Sequence, residues 1–117
     1  MTQGATFKQQ SIAISTTAAY SDKIGMRLGT IFSAQFDWLA SNSLTVTLWQ
    51  SNKEAPDLTD DTDWVENTDL TLPTADTTGK GFANASAAGA RWYRYKFVLT
   101  AGGTDTLTLD VAVSKGA

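Results

Sequence analysis

The chain has 117 residues, a length that suits one domain with one core and is short for two. With 42% hydrophobic and 18% charged residues it holds enough apolar material for a packed interior and too little charge for a disordered, solvating tail. It has no Cys and no His, which excludes serine–histidine and cysteine–histidine hydrolases, and its net charge of −3 has the wrong sign for a protein whose main partner is a polyphosphate.

The first nine residues, holding Phe7 among small and polar neighbours, show no packing pattern and read as an N-terminal arm (1–9). They also lack the basic start and apolar stretch of a secretory signal, and no later apolar run approaches the ~20 residues that span a bilayer. A chain made in and used from a cytoplasm is expected, with a mature secreted fragment as the alternative. From there the dominant period is two. Residues 10–15, with Ile12 and Ile14 in phase, predict a strand. Residues 28–38 place Leu28, Thr30, Phe32, Ala34, Phe36 and Trp38 on one face, and 44–49 alternate Leu44, Val46 and Leu48 with Thr45, Thr47 and Trp49. Between them the small polar residues 40–43 predict a turn, so 28–49 reads as a hairpin.

An acidic stretch follows, with Asp57, Asp60, Asp61, Asp63, Glu66 and Asp69, then a short strand at 69–72 and a polar loop to Lys80. The Ala-rich residues 82–90 are left open between loop, weak strand and short helix, since nine residues make a marginal helix even when rich in Ala. Residues 91–100 alternate Tyr93, Tyr95, Phe97 and Leu99 with Trp92, Arg94, Lys96 and Val98. Residues 106–113 put Leu107, Leu109, Val111 and Val113 on one side. The glycines at 102 and 103 between these two runs suggest a C-terminal hairpin. Many short strands, some apolar on both faces, predict an all-β domain over residues 10–117: an antiparallel β-sandwich, in particular a jelly roll.

The run TVTLWQSNKE at 45–54, then DWVE at 63–66, then RWYRYKF at 91–97, resembles small jelly-roll virion proteins of tailed bacteriophages. In those a strand ends in a Ser-Asn turn, an acidic loop holds a Trp, and an aromatic "Tyr-Arg-Tyr" strand comes later. The same layout is similar to discoidin-like and carbohydrate-binding sandwiches, although Lys53 stands where the sugar-binding relatives usually have Asp. The resemblance covers most of the chain from Ser43 onward. It implies a non-catalytic capsid decoration or cement protein, working in the virion after assembly in the host cytoplasm, with the major capsid protein and copies of itself as partners. A glycan-binding module of a tail or baseplate is the alternative, and neither role calls for a cofactor, nucleic acid or a membrane.

Trp49 and Trp92 fall on the face opposite the aliphatic or Tyr-Phe side of their strands, so neighbouring strands would join them into an aromatic patch with Arg94 and Lys96 beside it. Cross-strand packing of rings on basic stems is the competing explanation. Phe7 in the arm is the second interface candidate. Trp38, in phase with Phe36 and Phe32, is expected in the core, and Trp64 is expected to fold back over an open end of the sandwich. No metal site is expected. Asp60, Asp61 and Asp63 are the carboxylates that a hard cation would use, but their spacing fails the EF-hand pattern, and a solvated turn-rich loop explains them as well.

Overall fold

Thr, Val and aromatic residues in period-two runs favour extended backbone. The computed structural model describes residues 5–25, 30–38, 43–68, 80–86, 90–100 and 103–115, and these are strands, connections and one 3-10 turn at Asp61–Asp63. The strands are β1 (Ala5–Ser15), β2 (Ala19–Tyr20), β3 (Ile24–Gly25), β4 (Thr30–Asp37), β5 (Leu44–Ser51), β6 (Val65–Asn67), β7 (Lys80–Ser86), β8 (Trp92–Leu99) and β9 (Thr104–Lys115). One sheet runs in the order β1-β9-β4-β7; the other runs β2-β8-β5-β6, with β3 also paired to β8. Every pairing is antiparallel.

Strands β2 and β3 act as one strand interrupted at residues 21–23, because both pair with β8, at Phe97–Lys96 and at Tyr93–Trp92 respectively. Ser21 bridges the gap: its backbone N–H donates to the Tyr95 carbonyl (3.0 Å) and its hydroxyl accepts from the Tyr95 N–H (2.9 Å). Counted this way, eight strands form two four-stranded sheets. The chain changes sheet at every link except β2 to β3 and β5 to β6. That connectivity is the jelly roll.

The core lies between the sheets. Ile12 and Ile14 of β1, Ala34 and Phe36 of β4, and Leu107, Leu109 and Val111 of β9 meet Leu44, Val46 and Leu48 of β5 and Tyr93, Tyr95, Phe97 and Leu99 of β8, all buried. Phe36 locks the layers together, edge-on to Tyr95 at 5.1 Å and to Phe97 at 5.9 Å between centroids. Such pairs add about 0.5–1.5 kcal/mol beyond the area they bury. Trp38 is buried with them, as its phase predicts.

Three expectations need correction. Residues 28–49 and 91–113 are not hairpins: β4 and β5 lie in opposite sheets, as do β8 and β9. A turn signal marks a reversal but not its plane, and a strand that crosses to the facing sheet keeps the same inward alternation as one that folds back beside its predecessor. Residues 5–9 of the expected arm are strand, since β1 begins at Ala5 and they pair along β9 from Ser114 to Asp110. Residues 82–86 of the Ala-rich stretch lie in strand β7 (Lys80–Ser86). The expected strand at 69–72 lies outside the described residues.

Candidate functional site

The outer face of the β5–β8 pair carries the aromatic and basic residues singled out in the sequence. The two strands are neighbours, and the register sets Arg94, not Trp92, opposite Trp49, with Lys96 opposite Thr47. This face is not open. The 13 residues between β5 and β6 fold back across it, and Arg94 is 0% exposed.

The loop is built by its own short polar side chains. Asp60 caps the 3-10 turn, accepting from the Thr62 N–H (3.0 Å) and hydroxyl (2.6 Å). Asp63 accepts from the Asp57 N–H and from Lys53 Nζ, both at 2.8 Å, and Asp57 in turn accepts from the Thr59 N–H (3.1 Å). Trp64 is buried and its indole N–H donates to the Asp57 carbonyl (2.8 Å). These bonds leave Asp61 pointing down at the sheet. Its carboxylate pairs with the Arg94 guanidinium and with Lys96 Nζ (2.6 Å), and Arg94 also donates to the Leu58 carbonyl.

One carboxylate therefore serves two cations, and aromatic faces complete their surroundings. The Arg94 guanidinium carbon lies 4.4 Å from the Tyr20 ring, 4.8 Å from Trp64 and 5.3 Å from Trp49, while Lys96 Nζ is 5.1 Å from Trp49. Each such contact is attractive by about 0.5–2 kcal/mol, more where water is excluded. Arg94 Nε is buried without a hydrogen-bond acceptor, and so is Trp92 Nε1. The hydrogen bond from Lys96, followed by that from Arg94, holds the Asp61 carboxyl below the ordinary carboxylate range against the opposing effect of desolvation. Asp63 is likewise held low, first by Lys53 and then by the Asp57 N–H, and the same bond raises Lys53.

The expected exposed patch is thus overturned at its centre. Arg94 is sealed, and Trp49 and Trp92 are half-buried. Trp92 lies against Gly25 of β3, where an added Cβ would come within 3.1 Å of the ring, and under Lys23 Nζ at 5.4 Å. Among the candidate metal ligands, Asp61 is paired with two cations, Asp63 with Lys53, and Asp60 with its own turn; no group of three ligating side chains occurs among the described residues. Trp64 covers the outside of the sheet and not an open end of the sandwich. Tyr20, the ring nearest Arg94, carried no signal in the sequence, because a two-residue strand shows no period.

Phe7, the second interface candidate, lies in strand β1. At 77% exposure, with Val65 at 66%, it is one of two large apolar side chains standing in solvent among the described residues. Phe7 is on β1, at one edge of the first sheet; Val65 is on β6, at an edge of the second. Because β1 packs against β2 and β8, these are opposite edges of the sandwich.

No protein-family model matches the chain, and no curated protein does. Among solved structures, a chain described under "Bacillus endospore appendages form a novel family of disulfide-linked pili" is similar over all of this chain and 93% of its own length, with 10% identity and a TM-score of 0.40. A likeness of that size carries no argument about role.

Proposed function

We propose that the chain is a non-catalytic bacteriophage virion protein, a decoration or cement protein that binds the outside of the capsid and reinforces the head. One observation carries this reading: the two large apolar side chains that stand exposed among the described residues, Phe7 and Val65, sit on opposite edges of a two-sheet body. A decoration protein that bridges neighbours needs separated contact points on a stiff spacer, and many modest contacts of this kind add through multivalency. The braced loop supports the same role, since it stiffens the outer face of the second sheet with internal ion pairs. The partners are the major capsid protein and copies of this chain.

Cosedimentation with undecorated heads tests the proposal. Saturable binding is expected for the wild type and weaker binding for Phe7→Ser, while Trp92→Phe, which changes a half-buried ring, leaves binding unchanged. No binding of the wild type to heads would overturn it.

A second reading, glycan binding, is favoured by a different observation. On the outside of the first sheet Phe7 borders a shallow groove that also holds Gln9, Gln35 and Asp110, and Gln9 Nε2 donates to Asp110 Oδ1 at 2.8 Å. A ring beside amide and carboxylate groups suits stacking on a sugar with hydrogen bonds to its hydroxyls. Retention on glycan-coated beads, with none on heads, would select this reading.

A further inference from the structure

Strand β1 changes character half-way along. Its inward positions are Ile12 and Ile14 towards one end, both buried, but Gln10 and Lys8 towards the other, paired with Leu109 and Val111 of β9. A lysine and an amide on the inner side of an edge strand do not close against the facing layer, because their polar ends keep to water. The facing chain is itself interrupted there, at residues 21–23 between β2 and β3. The two sheets consequently part at this edge around a cleft of about 250 Å³, floored by Leu109, Val111 and Val113 and walled by Ile24.

The mouth of the cleft is polar and ordered. Lys8 Nζ lies 2.7 Å from Asp22 Oδ2. The Asp22 N–H donates to Gln10 Oε1 (2.9 Å), and Gln10 Nε2 reaches Asp22 Oδ1 at 3.4 Å. Gln10 thus holds Asp22 from two sides, whereas the ammonium of Lys8, on a long and largely exposed stem, has further hydrogens to offer. Lys23 also borders the cleft, although its Nζ is turned to the Pro56 carbonyl at 3.2 Å. Of the three charged side chains that line the cleft two are cations, and with Lys23 held at Pro56 it is Lys8 that stands beside Asp22 at the opening.

A largely apolar hollow with a few convergent polar groups at its entrance is the general form of a small-molecule site. We propose that this cleft binds a small amphiphilic carboxylate, its hydrocarbon part lying on Leu109, Val111 and Val113 and its carboxylate beside Lys8. A cavity of roughly 150 Å³ holds a benzene ring, so this one suits a ligand of about ten heavy atoms, such as a medium-chain acid. The proposal does not rest on capsid binding: the cleft lies on the inner side of β1, while Phe7 stands on its outer side.

Titration of the ¹⁵N-labelled full chain with octanoate, and separately with 1-octanol, followed by amide shifts, tests this. Octanoate is expected to move the amides of Ile24, Gly25 and Val111 saturably. Lys8→Met, which keeps the stem and removes the charge, should weaken octanoate about tenfold and leave 1-octanol unchanged. Val111→Phe should fill the cleft and abolish both; if that variant does not fold, the exposed Lys8→Met substitution still decides. No saturable shift at these amides with octanoate would overturn the proposal. So would equal octanoate affinity for wild type and Lys8→Met, 1-octanol binding as tightly as octanoate, or undiminished binding to a folded Val111→Phe protein.

Discussion

A guanidinium with no solvent contact is tolerable at position 94 because a carboxylate, a carbonyl and three ring faces replace its water. Removing the carboxylate costs more than removing the cation, since the first leaves a buried charge without its counter-ion. Asp61→Asn is expected to cost about 2 kcal/mol in urea unfolding, at the low end for such pairs because Asp61 is 39% exposed. Arg94→Met should cost less, within about 1 kcal/mol, and the reverse order would contradict this view of the cluster. Acid should act through the same carboxylate. Asp61 is held below its ordinary value in the folded state, so its contribution is complete above the unfolded value of about 4 and is lost as pH falls through the folded one. Asp63 shifts in the same direction, Tyr20 hydroxyl, Arg94 and Lys96 face Asp61 from the sheet, and Asp60 and Asp63 flank it on its own turn. Stability, and the emission of the enclosed Trp49 and Trp64, should be flat from pH 7 to about pH 5 and drop below about pH 4, less steeply in Asp61→Asn.

The elements legible in the sequence were those with a sustained period of two. Residues 44–49 became β5, 91–100 contain β8, and 106–113 lie within β9. Strands β2, β3 and β6, with two or three residues each, are too short to show a period and exist through pairing with β8 or β5. The two sides of β8 separate as the alternation predicts, yet Arg94 is buried on the outward one. What covers it is a loop whose fold depends on Asp60 capping, Asp63 bridging and Trp64 docking together, and no local pattern spells out that combination. The glycines at 102 and 103 signal a reversal after β8 but not its plane, since β9 lies in the opposite sheet. Gly103 there has φ +79° with nothing within 4 Å of where a Cβ would stand. Gly103→Ala should therefore lower stability by about 1 kcal/mol through backbone strain alone, as thermal unfolding would report. An unchanged midpoint would mean that the connection accommodates a different backbone.

The molecule measures 45 × 33 × 23 Å, and the two large apolar side chains exposed among the described residues lie at edges separated by the width of a sheet. Four strands set about 4.8 Å apart put those edges roughly 15 Å from one another, too far for one partner side chain to touch both. A bridging role then requires both edges at once, whereas simple attachment requires only one. The distinction can be read from the temperature at which heads saturated with the protein come apart. Wild-type protein should raise that temperature, and Phe7→Ser or Val65→Ser, each brought to matched occupancy by a higher concentration, should lose most of the gain. Either variant protecting the heads as well as wild type at equal occupancy, or wild type at full occupancy giving no protection, would contradict the bridging role.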